Sequence, residues 1–119
     1  GYRAALALGA QGVQVGTRFM TAAESPINEK WKRLIFGCSD GGTELLPVDA
    51  MMMRAIVTPE LKKRMQSPGF DIQKEFRLAN ASKAWESGDF DLVPAGAGQV
   101  SALINEAAPA GRIIEEMAR

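Results

Sequence analysis

Histidine is absent from the chain and cysteine is nearly so, with Cys38 standing alone. The first absence removes the commonest general base and the commonest metal ligand. With one cysteine and no histidine, neither a zinc site nor a Ser-His-Asp or Cys-His pair is expected. No catalytic residue and no metal ligand is therefore nominated. Net charge is also missing: Lys plus Arg and Asp plus Glu each number 14. No general attraction to nucleic acid or to an anionic membrane surface follows from that balance. There is no run of about 18 apolar residues, so no membrane-spanning helix is expected. No basic stretch followed by an apolar one opens the sequence, so Gly1-Tyr2-Arg3 does not read as a signal peptide. Cys38 cannot form an internal disulfide, which fits a reducing compartment and an expected cytoplasmic location. The sequence opens on Gly1 inside a helical pattern with no capping residue before it, and the expectation drawn from that is a truncated chain.

What is present is an ordinary globular composition, with 46% apolar residues among 119. Tyr2 to Leu8 is rich in Ala and Leu and reads as a helix, which Gly9 would end in the left-handed conformation. Val13 and Val15, flanked by glycines, read as a short strand over 12–15, buried on both faces as in a parallel sheet. Ser25-Pro26-Ile27-Asn28-Glu29 reads as a helix start with Ser25 as cap, running to Phe36 and stopping at Gly37. Its buried face would carry Ile27, Trp31, Leu34 and Ile35, with Lys30, Lys32 and Arg33 off that face.

Asp40-Gly41-Gly42 reads as a turn. A short extended piece is expected between Thr43 and Val48. Met51-Met52-Met53 fits either a strand or a short helix capped by Asp49. Thr58-Pro59-Glu60 marks a second helix start, and Ser67-Pro68-Gly69 its end. The basic run Lys62-Lys63-Arg64 on it reads as a solvated face. A mostly helical stretch is expected over 71–86, anchored by Phe70, Ile72, Phe76, Ala79 and Trp85, with Asn80 the place for a break. After a turn at Gly88-Asp89-Phe90-Asp91, a small-residue loop leads into a helix over Gln99–Ile104. Pro109 opens a last helix with Ile113, Ile114 and Met117 on its apolar face.

The stretch that could carry chemistry is Gly12-Val13-Gln14-Val15-Gly16-Thr17-Arg18-Phe19. A strand that ends in glycine lets a ligand approach the backbone closely. Consecutive N–H groups beside a Thr hydroxyl suit a phosphate oxygen. The competing reading is a plain buried strand with a tight turn. Arg18 either reaches the same anion or pairs with a carboxylate of a neighbouring loop. Gln99 either touches a ligand or caps its own helix. The Met51–Met53 run either lines a cavity or fills core.

The run Ala7-Leu8-Gly9-Ala10-Gln11-Gly12-Val13-Gln14-Val15-Gly16-Thr17-Arg18-Phe19 resembles the last barrel strand of the nitronate monooxygenase family. That family includes flavin-dependent enoyl-acyl-carrier-protein reductases and a quinone reductase. Glu24-Ser25-Pro26 resembles its acidic-small-Pro helix start. Gly88-Asp89, Pro94-Ala95-Gly96 and Gly98-Gln99 resemble its later Gly-Asp and Ala-Gly-Gln stretches, and Val100 to Ile104 its closing helix. The chain departs from the family in reading Gln-Val-Gly where Gln-Met-Gly is common, and in an extra Gly-Ala before Gly98-Gln99. The resemblance implies an α/β fold: the C-terminal fragment of a TIM-type (β/α)8 barrel with a mostly helical insertion, mainly helical within this chain with one or two short strands. It divides the chain into a last αβ unit over 1–20, an insertion over 21–94 and closing helices over 95–119.

The resemblance also implies FMN as cofactor, its phosphate held by Gln14, Val15, Gly16 and Thr17. The catalytic histidine of the family would lie in a missing N-terminal barrel portion. Implied reactants are a nitronate and O2, or NAD(P)H with an enoyl thioester or a quinone. A homodimer is left open, and neither nucleic acid nor membrane is an expected partner. A lone strand cannot close a barrel, so this piece by itself would expose the 12–15 segment. Two rivals stand beside this reading. Dihydroorotate-type dehydrogenases end a barrel on a similar strand but close soon after it. A non-catalytic helical interaction module would dispense with histidine altogether.

Overall fold

The computed structural model describes residues 1–119 as a mixed α/β chain with seven α-helices, one 3-10 helix and one three-stranded sheet. Helices α1 (Tyr2–Ala7) and α2 (Thr17–Met20) come first, followed by α3 (Glu29–Phe36). Strands β1 (Glu44–Val48) and β2 (Met51–Ile56) form an antiparallel hairpin. Helices α4 (Pro59–Met65), α5 (Ile72–Glu75) and α6 (Leu78–Ser87) follow. Strand β3 (Ala95–Gly96) joins the free edge of β2 antiparallel, through Ala55↔Gly96 and Ile56↔Ala95. The 3-10 helix (Gln99–Leu103) and α7 (Ala110–Ala118) close the chain. No helix is long and apolar enough to cross a membrane.

Local signals explain several of these elements. Thr58 accepts from the Leu61 N–H at 3.1 Å, and Pro59 stands at the first position of α4, where its missing N–H costs nothing. Gly37 ends α3. Gly88 ends α6 in the left-handed conformation at φ 78°, where a side chain would also collide with the Asn28 amide. Gly9 follows α1 at φ 96°.

Other boundaries are set by distant parts of the chain and depart from the sequence expectation. The cap of α3 is Asn28, which accepts from the Lys30 N–H at 2.9 Å while its amide donates to the Glu86 carbonyl at 3.0 Å. Ser25 instead closes a turn back onto Ala22, so 25–28 stays outside the helix. The break in 71–86 falls at Phe76-Arg77, not Asn80. Asp49, held at φ 51° in the hairpin turn, donates its N–H to the Phe76 carbonyl and accepts from the Leu78 N–H at 2.7 Å. Thus Asp49 does cap a helix, but α6 rather than one at 51–53, and the three methionines are strand. The Gln99 segment is a 3-10 helix, and Ala79 is exposed.

Two clusters of seven residues and a small third one, Ala22, Ala108 and Ile113, form the core. Trp31, Ile35, Ile56, Phe90, Ala95, Ala97 and Ile104 build the first; Leu46, Val48, Leu61, Phe76, Ala81, Ala84 and Val93 build the second. Trp85 packs against both, its ring 5.2 Å from that of Trp31. Lys32 departs from expectation by being buried, its ammonium 3.1 Å from Glu29. Its long aliphatic stem lets it cover apolar surface. Of the basic run on α4, Lys62 and Lys63 are exposed and Arg64 is half-buried, and all three are ion-paired, Lys62 with Glu44, Lys63 with Glu60 and Arg64 with Glu75.

The expected strand over 12–15 is corrected. Residues 12–16 join no ladder, and Gly12, Val13, Gln14 and Gly16 are exposed. A strand needs neighbours to take its N–H and C=O groups, and the only sheet of this chain is built at 44–56 and 95–96.

Candidate functional site

The glycine-threonine tip is a junction between two helix starts. Gly16 precedes α2, and Gly98 precedes the 3-10 helix. The Thr17 hydroxyl joins them by accepting from the Gly98 N–H at 2.9 Å across 81 residues of chain. Thr17 is buried. Its hydroxyl therefore spends an acceptor site inside the protein, and its own proton has no acceptor in the chain. Gly98 is held on its other side too: the fully buried Ser101 donates its hydroxyl to the Gly98 carbonyl at 2.6 Å, and its N–H to the same oxygen at 3.1 Å. Sequence reasoning passed over Ser101; the signal for it was a Ser three residues after a Gly at a helix start.

The backbone at the tip is open. Nothing in the chain accepts the N–H groups of Gly16, Thr17 or Arg18, while the Gly16 carbonyl takes those of Phe19 and Met20. These are the orphan donors of a helix start. A Cβ placed on Gly12 or Gly16 meets nothing within 4 Å, and Gly16 has φ −101°. Neither packing nor backbone conformation within the chain calls for glycine there. The open tip, the three donors and the remaining Thr17 proton fit an anionic group that approaches closely.

Of the four nominated residues, Gly16 and Thr17 lie at this junction. Gln14 is exposed, and Val15 is half-buried. Val13 and Val15 line a cleft of about 630 Å³ with Tyr2, Val100, Leu103 and Ile113, so both turn toward α1 and α7. Gln14 does not line it. The cleft holds Arg3, Arg18 and Arg119. Arg18 donates to the Glu106 carbonyl at 2.9 Å and to the Thr21 hydroxyl at 3.3 Å, so it has a backbone partner where a carboxylate was the alternative to a ligand. The one carboxylate there, Glu116, is engaged 2.7 Å from Arg112. Gln99 is exposed, and its side chain caps nothing.

Glu24, read as part of a nearby helix start, serves a remote one: its carboxylate accepts from the Ala110 N–H at 3.0 Å and so stabilises the start of α7. Met53 is half-buried and packs on the second core cluster, whereas Met51 and Met52 are exposed. Burial pushes the Cys38 thiol up, and hydrogen bonds to Glu60 and Glu116 push Lys63 and Arg112 up. None of these three hydrogen-bonds to the 16–18 or 98–101 turns.

The chain is similar to FabK from Thermotoga maritima, at 28% identity and a TM-score of 0.79, over 97% of this chain and 38% of that one. A point variant of the same FabK gives 33% identity and a TM-score of 0.76, over 97% of this chain and 35% of that one. The chain thus spans little more than a third of the length of the solved structures it matches. Its whole length, residues 1–119, matches the family model described as nitronate monooxygenase. With the Gln14–Thr17 tip and the Gly98–Ser101 turn both inside that match, the chain belongs to the nitronate monooxygenase family.

Proposed function

We propose that this chain is the C-terminal part of an FMN-dependent oxidoreductase, with the tip at Gln14-Val15-Gly16-Thr17 as one side of the cofactor's phosphate site. The observation that carries the proposal is the set of unpaired N–H groups of Gly16, Thr17 and Arg18 beside a glycine that nothing else in the chain requires. A phosphate dianion is the natural acceptor for such a set. Gln14 and Val15 contribute backbone leading into the tip.

On this reading residues 1–20 are the last αβ unit of a TIM-type barrel, 21–94 an insertion on the substrate side and 95–119 the return to the barrel. Residues 12–16 become the eighth strand once neighbours take its two edges. Bound flavin supplies the redox chemistry, and the protein binds and orients it. The first reading of the substrate is an alkyl nitronate oxidised with O2, as the family description suggests. The likeness to FabK favours a second reading, NAD(P)H-dependent reduction of an enoyl thioester on acyl carrier protein. A homodimer and a cytoplasmic location accompany both readings.

The product of the full reading frame that contains this chain tests the proposal. It is expected to carry FMN, released on denaturation, and Gly16→Val is expected to empty it. Oxygen uptake with an alkyl nitronate separates the first reading from the second, which predicts enoyl-thioester-dependent loss of NAD(P)H. A full product that neither carries nor binds FMN rejects the proposal. The 119-residue chain alone is expected to bind FMN no tighter than about millimolar, because it holds only one side of the site; a micromolar titration would overturn that expectation.

A further inference from the structure

Residues 94–98 of the 94–101 strap are held by several different parts of the molecule. Trp85 donates its indole N–H to the Pro94 carbonyl at 3.1 Å. Ala95 and Gly96 pair with Ile56 and Ala55 of β2. Trp31 donates its indole N–H to the Gly96 carbonyl at 3.0 Å, and the Ala97 N–H goes to the Arg54 carbonyl at 3.0 Å. Up to this point every partner belongs to the helices and sheet of the middle of the chain. At Gly98 the partner changes: its N–H goes to Thr17 and its carbonyl to Ser101. One continuous strap therefore runs from the Trp31–Trp85 pair to the glycine-threonine tip, and its last link to the tip is the Thr17 hydroxyl.

That hydroxyl works in both directions. It accepts from Gly98, and it retains a proton with no acceptor in the chain. When a hydroxyl donates, its oxygen becomes a better acceptor, so bonds along such a chain strengthen one another. A Cβ on Gly98 would stand 3.3 Å from the Thr17 hydroxyl oxygen, closer than ordinary contact, so a side chain there would press on this link. We infer that Thr17 and Ser101 are positioning residues that couple the anion tip to the 94–101 strap. An anion that takes the Thr17 proton tightens the Gly98 link, and through Gly96 and Pro94 fixes the two indoles and the edge of β2. The inference rests on the phosphate-site reading of the tip and goes beyond it: it makes the sheet-and-helix region respond to occupancy of the cofactor site.

Amide hydrogen exchange of the full reading-frame product, followed on peptides covering 94–104 with and without FMN, tests the coupling. In the wild type FMN is expected to slow exchange in these peptides. Thr17→Val keeps the shape and removes the hydroxyl. It is expected to speed their exchange without ligand, to abolish the FMN response and to weaken FMN about ten- to a hundredfold, the effect of one lost hydrogen bond at a charged acceptor. Thr17→Ser, which restores the hydroxyl, is expected to restore the FMN response; a role in packing alone would not be rescued this way. Ser101→Ala is expected to weaken FMN about threefold and to reduce the response without abolishing it.

A Thr17→Val strap that exchanges as in the wild type and still responds to FMN overturns the inference. If the wild type binds no FMN, the cofactor reading falls separately. The same exchange experiment with inorganic phosphate then decides the coupling, and a strap that phosphate leaves unchanged overturns it.

Discussion

The middle of the molecule and its terminal face bury their apolar residues to very different degrees. In the middle, two clusters of seven buried residues each surround the sheet, with Ile35, Leu61 and Ala55 at 0% exposure. On the terminal face, formed by α1, 12–16, the 3-10 helix and α7, the third cluster holds only Ala22, Ala108 and Ile113. Beside it Val13, Val100 and Leu103, which line the cleft, stay exposed at 41%, 46% and 79%. The radius of gyration, 15.7 Å, exceeds the about 13.5 Å expected of a compact domain of this length. The body is accordingly drawn out to 50 × 29 × 25 Å. Scattered exposed leucines need no explanation, but apolar residues gathered around one cleft do. The middle has what it needs to hold itself together. The terminal face has an unpaired segment and an uncovered cleft, as the proposed place in a barrel requires.

The sharpest way to break this contrast is to cut the core of the middle. Phe76→Ala removes a ring at 1% exposure between Phe70 and the second cluster and is expected to destabilise by about 3–5 kcal/mol, read from urea unfolding of the chain. A loss under about 1 kcal/mol would show that the middle is no better packed than the terminal face. Gly88→Ala is next. It forces a side chain into φ 78° and against Asn28, the cap of α3, and is expected to cost about 2 kcal/mol in the same measurement. Thr58→Ala removes the cap of α4, with about 1 kcal/mol expected. The smallest effect belongs to the terminal face. Leu103→Ser is expected to change the stability of the 119-residue chain by less than about 0.5 kcal/mol, yet to destabilise the full reading-frame product clearly, since there the cleft would be covered. Equal effects in both would remove the case for a covering partner.

How much could be read in advance depended on how far apart the interacting residues lie. The α4 start at Thr58-Pro59, the stop at Gly37 and the left-handed Gly9 were legible because each is satisfied within one turn of chain. Asn28 displaced Ser25 as a cap because it also reaches the Glu86 carbonyl, which no local rule contains. The helix that Asp49 could have capped at 51–53 is a strand, and its carboxylate instead accepts from the Leu78 N–H, 29 residues away. The methionine run could be strand or helix until β1 was there to pair with it, through Leu46↔Met53 and its neighbours. At the site, the glycine-threonine tip was legible from residue type. Its tie to Gly98 was not: the hydroxyl read as suited to a phosphate oxygen holds the closing turn.

The sequence by itself determined the family, the exclusion of histidine chemistry from this segment and the glycine-threonine pair on which the proposed anion site rests, because these depend on residue identity alone. Only the tertiary structure decided that 12–16 stays unpaired, that Glu24 serves α7 and that Thr17 meets Gly98. Each of those depends on which distant hydrogen-bonding group arrives first, and that is fixed by how the helices and the sheet pack.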